Sequence, residues 1–360
     1  MTLVGAVMVV VTLWSAFVTV VVPRSERPLV SRFHFRLIFA VANATASRIS
    51  DPIRRDRFLS RISPFGLITL PFVWAVHVTV GFALLYRGIS VGSFRDAVVL
   101  SGSSLTTLGI STSEHTVTLI LEVTEALIGL GLVGLMISYL PTIYGAYTDR
   151  EVAVARLEVR AGRPPHPVEF LDRTNTIGWL GQMDLVWAEW EQWFLQIEET
   201  HTTHTSLAYF RSAYPRRNWL LAAGAVLDTA ALIHSAIDVV VSPRAALCIR
   251  SGFTTLGSIC DALDLEHPED PNWPRDPVSI ERSTFDALFD ELAARGLPMV
   301  DDRDEAWRNF AGWRVNYDAS LYRLLAEMRV DPGEWFGAGA IVPLSGQPPM
   351  RSAQSKMKPS

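Results

Sequence analysis

Apolar and polar positions divide the chain near residue 147. Before that point, three runs are apolar enough to cross a bilayer, at 2–22, 65–86 and 117–144. Each offers the roughly 20 residues that a spanning helix needs at 1.5 Å per residue. Between the second and third runs, residues 94–105 are amphipathic and too short to cross, and residues 106–114 are polar and non-helical around one glycine. Span, half-length helix, loop and span is the order of a re-entrant loop. Irregular backbone at membrane depth is tolerated only where it is buried in protein or lines a water-filled path. Beyond 147 the charge rises, the apolar period becomes helical and strand-like alternation is scarce. The pattern predicts an all-α membrane protein with a C-terminal helical domain.

The expected segments are a span at 1–23, a basic linker at 24–63, a re-entrant module at 64–147, a helical domain at 148–344 and a disordered tail at 345–360. No basic stretch precedes the first run and no small-x-small cleavage site follows it. It therefore reads as a span and not as a cleaved signal peptide. The linker carries nine arginines between Arg24 and Arg61, against Glu26, Asp51 and Asp56. By the positive-inside rule it is cytoplasmic, which puts the N-terminus outside and the helical domain in the cytoplasm of a multi-pass cell-membrane protein. Within the linker, residues 29–49 mix aromatic and aliphatic side chains with arginines. Two readings stand: a helix lying in the membrane interface, or one packed on the C-terminal domain.

The loop letters are Thr106, Thr107, Leu108, Gly109, Ile110 and Ser111. With the half-length helix before them and a glycine-rich span after them, they resemble the pore module of the two-transmembrane potassium-channel superfamily. The resemblance covers 64–147, under a quarter of the chain. It implies a selectivity filter whose backbone carbonyls replace the hydration shell of a permeating potassium or other monovalent cation. It also implies four copies around an axis, a homotetramer. Ser111 departs from the family, which has a second glycine there. Serine would hold a positive φ only with strain, so the outermost site and strict potassium selectivity do not carry over.

Other residues follow from that frame. Glu114 falls at the outer mouth, where four copies would form an acidic ring; a solvated loop charge is the plainer reading. Glu122 and Glu125 sit in the outer half of the third run and should face protein or water, bracing the half-length helix. His77 reads as packed between helices. Gly131 lies where the family places a hinge glycine, although membrane-helix glycines also serve close packing. Pro141 should kink the inner end of that helix.

Composition adds limits. The chain has 360 residues, is 49% hydrophobic and has a mean hydropathy of +0.22. The net charge of −5 implies no nucleic-acid partner. Cys248 and Cys260 have neither metal-ligand nor disulfide spacing. No phosphate-binding glycine loop or βαβ pattern is present, and the ligand of the helical domain is not legible. The apolar run 219–241 contains Asp228, His234 and Asp238 and reads as a buried central helix, not a fourth span. The string at 251–257 echoes the loop letters by chance, since no span follows it. His201 and His204, with His234 later, form a candidate metal site; surface polar residues are the competing reading. No enzyme and no cofactor are expected. The readings to be weighed are a monovalent-cation channel, a non-conducting channel-like sensor or scaffold, and a membrane-anchored metalloenzyme.

Overall fold

The computed structural model describes residues 1–22, 28–89, 92–212, 214, 217–240 and 242–331. The expectations for Arg24, Glu26, Arg27 and the tail from 345 lie outside the described residues. The chain divides into two compact units. One comprises Met1–Thr148 with Tyr209–Pro215, the other Asp149–Ala208 with the chain from Arg216.

The first unit is built from α1 (Thr2–Val20), α2 (Leu29–Ala46), α3 (Pro52–Leu59), α4 (Ile62–Gly88), α5 (Phe94–Leu105) and the first part of α6 (Thr116–Ala161). Three helices, at Thr2–Val20, Arg57–Gly88 and Thr116–Ala161, are long and apolar enough to cross a membrane. This is a membrane protein. α1 and α4 approach closely through Gly5 and Gly81: a Cβ on Gly5 would overlap the Gly81 carbonyl oxygen. Small residues at such a seam let two backbones meet, and that contact holds membrane helices together where lipid is as apolar as leucine. The core of the unit gathers Trp74, Val78, Phe82 and Tyr86 of α4, Leu100 and Leu105 of α5, and Leu132 of α6.

α2 belongs to the first unit. It packs on α1 and α4, with the polar residues Ser31 and His34 buried. Ser31 Oγ lies 2.7 Å from Thr19 Oγ1, and His34 Nε2 lies 2.9 Å from the Gly66 carbonyl oxygen. Segment 209–215 also belongs here: Ser63 Oγ donates to the Tyr209 carbonyl at 2.8 Å, and the Tyr209 ring lies 4.5 Å from that of Phe39.

The second unit holds the rest of α6, then α7 (Pro167–Thr176), α8 (Asp184–Thr203), a 3-10 turn (Thr205–Tyr209), α9 (Trp219–Ser235), α10 (Pro243–Ala262), α11 (Arg282–Ala294) and α12 (Arg303–Glu327). The described residues contain no strand, only an isolated bridge between Ile237 and Met299. α9 is buried almost all round, as a helix apolar on every face must be. It ends at Ser235, six residues short of the apolar run. There the chain turns away, and the Asp238 amide donates to the Pro298 carbonyl at 2.7 Å. The echo at 251–257 is interior helix of α10, with Thr255 Oγ1 donating to the Phe194 carbonyl at 3.0 Å.

Candidate pore loop

α5 begins with a reciprocal cap. The Asp96 amide donates to Ser93 Oγ at 3.2 Å, and the Ser93 amide donates to Asp96 Oδ2 at 2.8 Å. This satisfies two of the free amides at a helix start and fixes where the helix enters. The helix stops at Leu105, and the chain folds back: the Leu108 amide donates to the Ser103 carbonyl at 2.9 Å, the Thr107 amide to that of Ser104 at 3.0 Å.

The backbone of the loop then alternates. Thr107 has φ +56° and Gly109 φ +67°, while Leu108, Ile110 and Ser111 have no positive φ. In an extended strand successive carbonyls point to opposite sides. Left-handed residues at every second position rotate the peptide planes, so that neighbouring amides converge on one face and carbonyls on the other. The strain expected at Ser111 is therefore borne by Thr107, for which a left-handed φ costs about 1–2 kcal/mol. Ser111 is held instead by hydrogen bonds: its amide donates to Ser103 Oγ at 3.1 Å, and Ser103 Oγ lies 3.1 Å from its carbonyl.

Two carboxylates of α6 stand behind the loop. Glu125 is fully buried and accepts from Tyr86 Oη at 2.9 Å and from Ser101 Oγ. It thereby ties α6 to both α4 and α5. Glu122 Oε1 accepts from the Ser113 amide at 3.0 Å, which fixes the segment leaving the loop. Sequence reasoning did not find Tyr86, and it did not set Gly129 apart from the glycines that follow it. A Cβ on Gly129 would overlap the Leu105 carbonyl oxygen, so this glycine is where α6 and the end of α5 meet. The signal was present: Glu122, Glu125, Gly129 and Leu132 recur at spacings of three and four and share one buried face.

Thr106, Thr107, Leu108, Gly109 and Ile110 are all exposed, as are Glu114 and His115. Gly131 and Gly134 face open space: a Cβ at either would have no atom within 4 Å, so close packing is not their role within one chain. Pro141 is exposed and α6 continues through it as helix. His77 is half-buried, with Nδ1 2.8 Å from the Val73 carbonyl.

No protein-family model matches the chain, and no curated protein or solved structure is significantly similar to it.

The histidine candidates part company. His201 is fully buried, with Nε2 3.1 Å from Arg150 Nη1 and Nδ1 2.9 Å from Thr200 Oγ1. A guanidinium at that nitrogen occupies the position a metal would need. His234 stacks on Trp313 with ring centres 4.7 Å apart, and His204 is half-buried at the end of α8. The three do not converge, and among the described residues no group of three or more His, Cys, Asp or Glu is arranged to hold a metal ion.

Burial, then the charge of Arg150, push the His201 pKa well below its ordinary value; burial lowers those of His204 and His234. A histidine that stays neutral when folded but takes a proton when unfolded stabilises the fold fully above its unfolded pKa, near 6.5. That stability is lost as the pH falls below 6.5. The helical unit should therefore weaken between pH 6.5 and 5, approaching about 1.4 kcal/mol per pH unit for each such histidine. Thermal melts over this range check it. His201→Gln should flatten the slope by one histidine's share, and a pH-independent wild-type melt would count against the assignment.

Proposed function

We propose that this chain is one subunit of a homotetrameric channel for monovalent cations, potassium first among them, built like the two-transmembrane pore-loop channels. The observation that carries the reading is the loop itself: a capped half-length helix between two spans, leading into residues with left-handed φ at Thr107 and Gly109. Such a backbone suits a row of carbonyls that replaces the hydration shell of a dehydrated cation. Thr106, Thr107, Leu108, Gly109 and Ile110 would supply the inner sites. Ser111 would contribute little, since its backbone lacks the turn that a second glycine would allow.

The assembly follows from what one chain leaves bare. An exposed, polar loop at membrane depth needs protein or water around it. The spanning window of α6 is only 22% covered by its own chain, against 39% for that of α4. Four copies around an axis would put the loops together and line the path below with the open faces of Gly131 and Gly134. In this arrangement Gly131 and Pro141 are the places to bend α6, Glu114 rims the outer entrance, the N-terminus is outside and the helical unit is cytoplasmic, where it assembles or gates the pore. No enzyme chemistry and no resident cofactor enter; the cations are cargo. A second reading, a channel-like sensor or scaffold that does not conduct, is favoured by Ser111 alone.

Purified protein in liposomes with potassium or sodium gradients, beside Gly109→Ala, tests the proposal. Alanine at φ +67° is strained, so the flux seen with the wild type should fall at least about tenfold in the variant. Potassium flux alone would indicate selectivity, and equal potassium and sodium flux a non-selective pore. Flux unchanged by Gly109→Ala would refute conduction through this loop. Absence of flux in both would favour the sensor reading.

A further inference from the structure

α2 is built inside out. Its buried positions are Ser31, His34, Ala42 and Ala46, two of them polar. Its open side carries Leu29, Phe33, Leu37 and Val41, spaced by four and 70, 70, 53 and 59% exposed. A surface helix in water shows the reverse order. The contacts also set its depth. Ser31 bonds to Ser15 and Thr19, in the last turns of the span α1, and His34 and Phe35 meet Gly66, four residues into the span α4. The apolar stripe therefore lies beside the ends of two spans, where acyl chains meet headgroups.

The same segment is strongly cationic. Residues 29–62 hold seven arginines and two aspartates. Arg54 pairs with Asp51. Arg36, Arg48, Arg55, Arg57 and Arg61 are exposed, and none of the five has an ion pair among the described residues. Arg61 immediately precedes α4, so this charge also sits at headgroup depth. Guanidinium forks match phosphate oxygens in geometry and charge.

We infer that α2 and α3 form a docking site for anionic phospholipid, the stripe taking acyl chain and the five arginines taking headgroup phosphate. Charge complementarity selects this occupant. A zwitterionic lipid would satisfy the stripe but offers no net charge to the arginines, and a soluble acidic partner would leave the stripe in lipid unexplained. The inference needs the chain to be in a membrane but does not rest on its conducting ions, and lipid binding is read without any flux.

The full-length protein is purified in detergent with phosphatidylglycerol and phosphatidylcholine of identical chains at equal amounts, and retained lipid is counted by native mass spectrometry. Each basic residue near an anionic surface adds attraction, so the wild type should keep phosphatidylglycerol in about tenfold excess or more. The five-fold variant Arg36→Gln, Arg48→Gln, Arg55→Gln, Arg57→Gln, Arg61→Gln should keep the two lipids within about twofold while melting at the wild-type temperature in phosphatidylcholine. Phe33→Ser with Leu37→Ser should reduce retention of both lipids. No preference in the wild type, or a preference that survives in the five-fold variant, overturns the inference. A variant that melts early in phosphatidylcholine would make the arginines structural and overturn it too. Glycerol 3-phosphate displacing the lipid would assign the site to a soluble phosphate instead.

Discussion

Arg314→Leu is expected to lower the stability of the helical unit by about 3–5 kcal/mol, enough to bring its thermal midpoint down by roughly 10 °C. Arg314 is fully buried on α12. Its Nε donates to Asp318 Oδ1 at 2.8 Å, its Nη1 pairs with Asp228 of α9, and its Nη2 lies 3.3 Å from Ser279 Oγ. Burial opposes its charge, but Asp228 and Asp318 outweigh that, and its pKa is raised. Tyr317 Oη gives Asp228 a further donor at 2.7 Å, and the Ser279 amide gives one to Asp318 at 2.7 Å. Take away the guanidinium and two carboxylates remain in a dry interior without a cation. That uncompensated charge, more than the lost attraction, sets the cost. The fold as a whole has only about 5–15 kcal/mol to lose. A neutral set, Asp228→Asn with Arg314→Gln and Asp318→Asn, should recover part of the loss, because no charge is then left unpaired. The check is a melt followed by the tryptophans of this unit. An Arg314→Leu protein melting within a degree of the wild type would mean that water reaches the cluster.

That cluster shows how sequence and structure divide the work. Asp228 in an apolar run was legible as a residue needing a partner, which ruled against a lipid-facing helix. Its partner lies 86 residues away and had no sequence signal. The same division holds in the membrane unit. α5 could be bounded to the residue, because an amphipathic run at 94–105 gives way to a polar, threonine-rich loop. The glutamates of α6 were legible as charges that must face inward. That Glu125 reaches Tyr86, and that Ser103 rather than backbone strain holds Ser111, depends on how three helices meet. For α2 the sequence left two positions open, for a physical reason. Apolar periodicity tells which side is apolar, not whether that side meets protein or lipid, and in a membrane the two exchange places. Segment 209–215 carries no change of composition to mark it as part of the membrane unit. The metal candidate failed because His201 looks polar in sequence and is taken up by Arg150 in the fold.

Gly129→Ala is expected to abolish potassium flux and lower the thermal midpoint, while Gly131→Ala, two residues on, should leave the midpoint unchanged. The letters are the same and the surroundings differ. A methyl group at 129 would overlap the carbonyl oxygen of Leu105, the last residue of α5, whereas one at 131 meets nothing. Backbone cannot yield as a flexible side-chain tip does, so α5 and α6 must part, at about 1–3 kcal/mol or more. The displacement would start at Leu105, one residue before the loop, and would pull on the bonds from Ser103 to Ser111 and from Glu125 to Ser101. Glycine at 129 is thus a matter of fit, and glycine at 131 a matter of freedom to bend in the proposed channel. Flux and melts of the two variants separate these roles. Gly129→Ala with wild-type flux and melting would show that α6 does not seat the end of α5. A lowered midpoint in Gly131→Ala would place that glycine in a packed seam and remove the reason to regard it as a hinge.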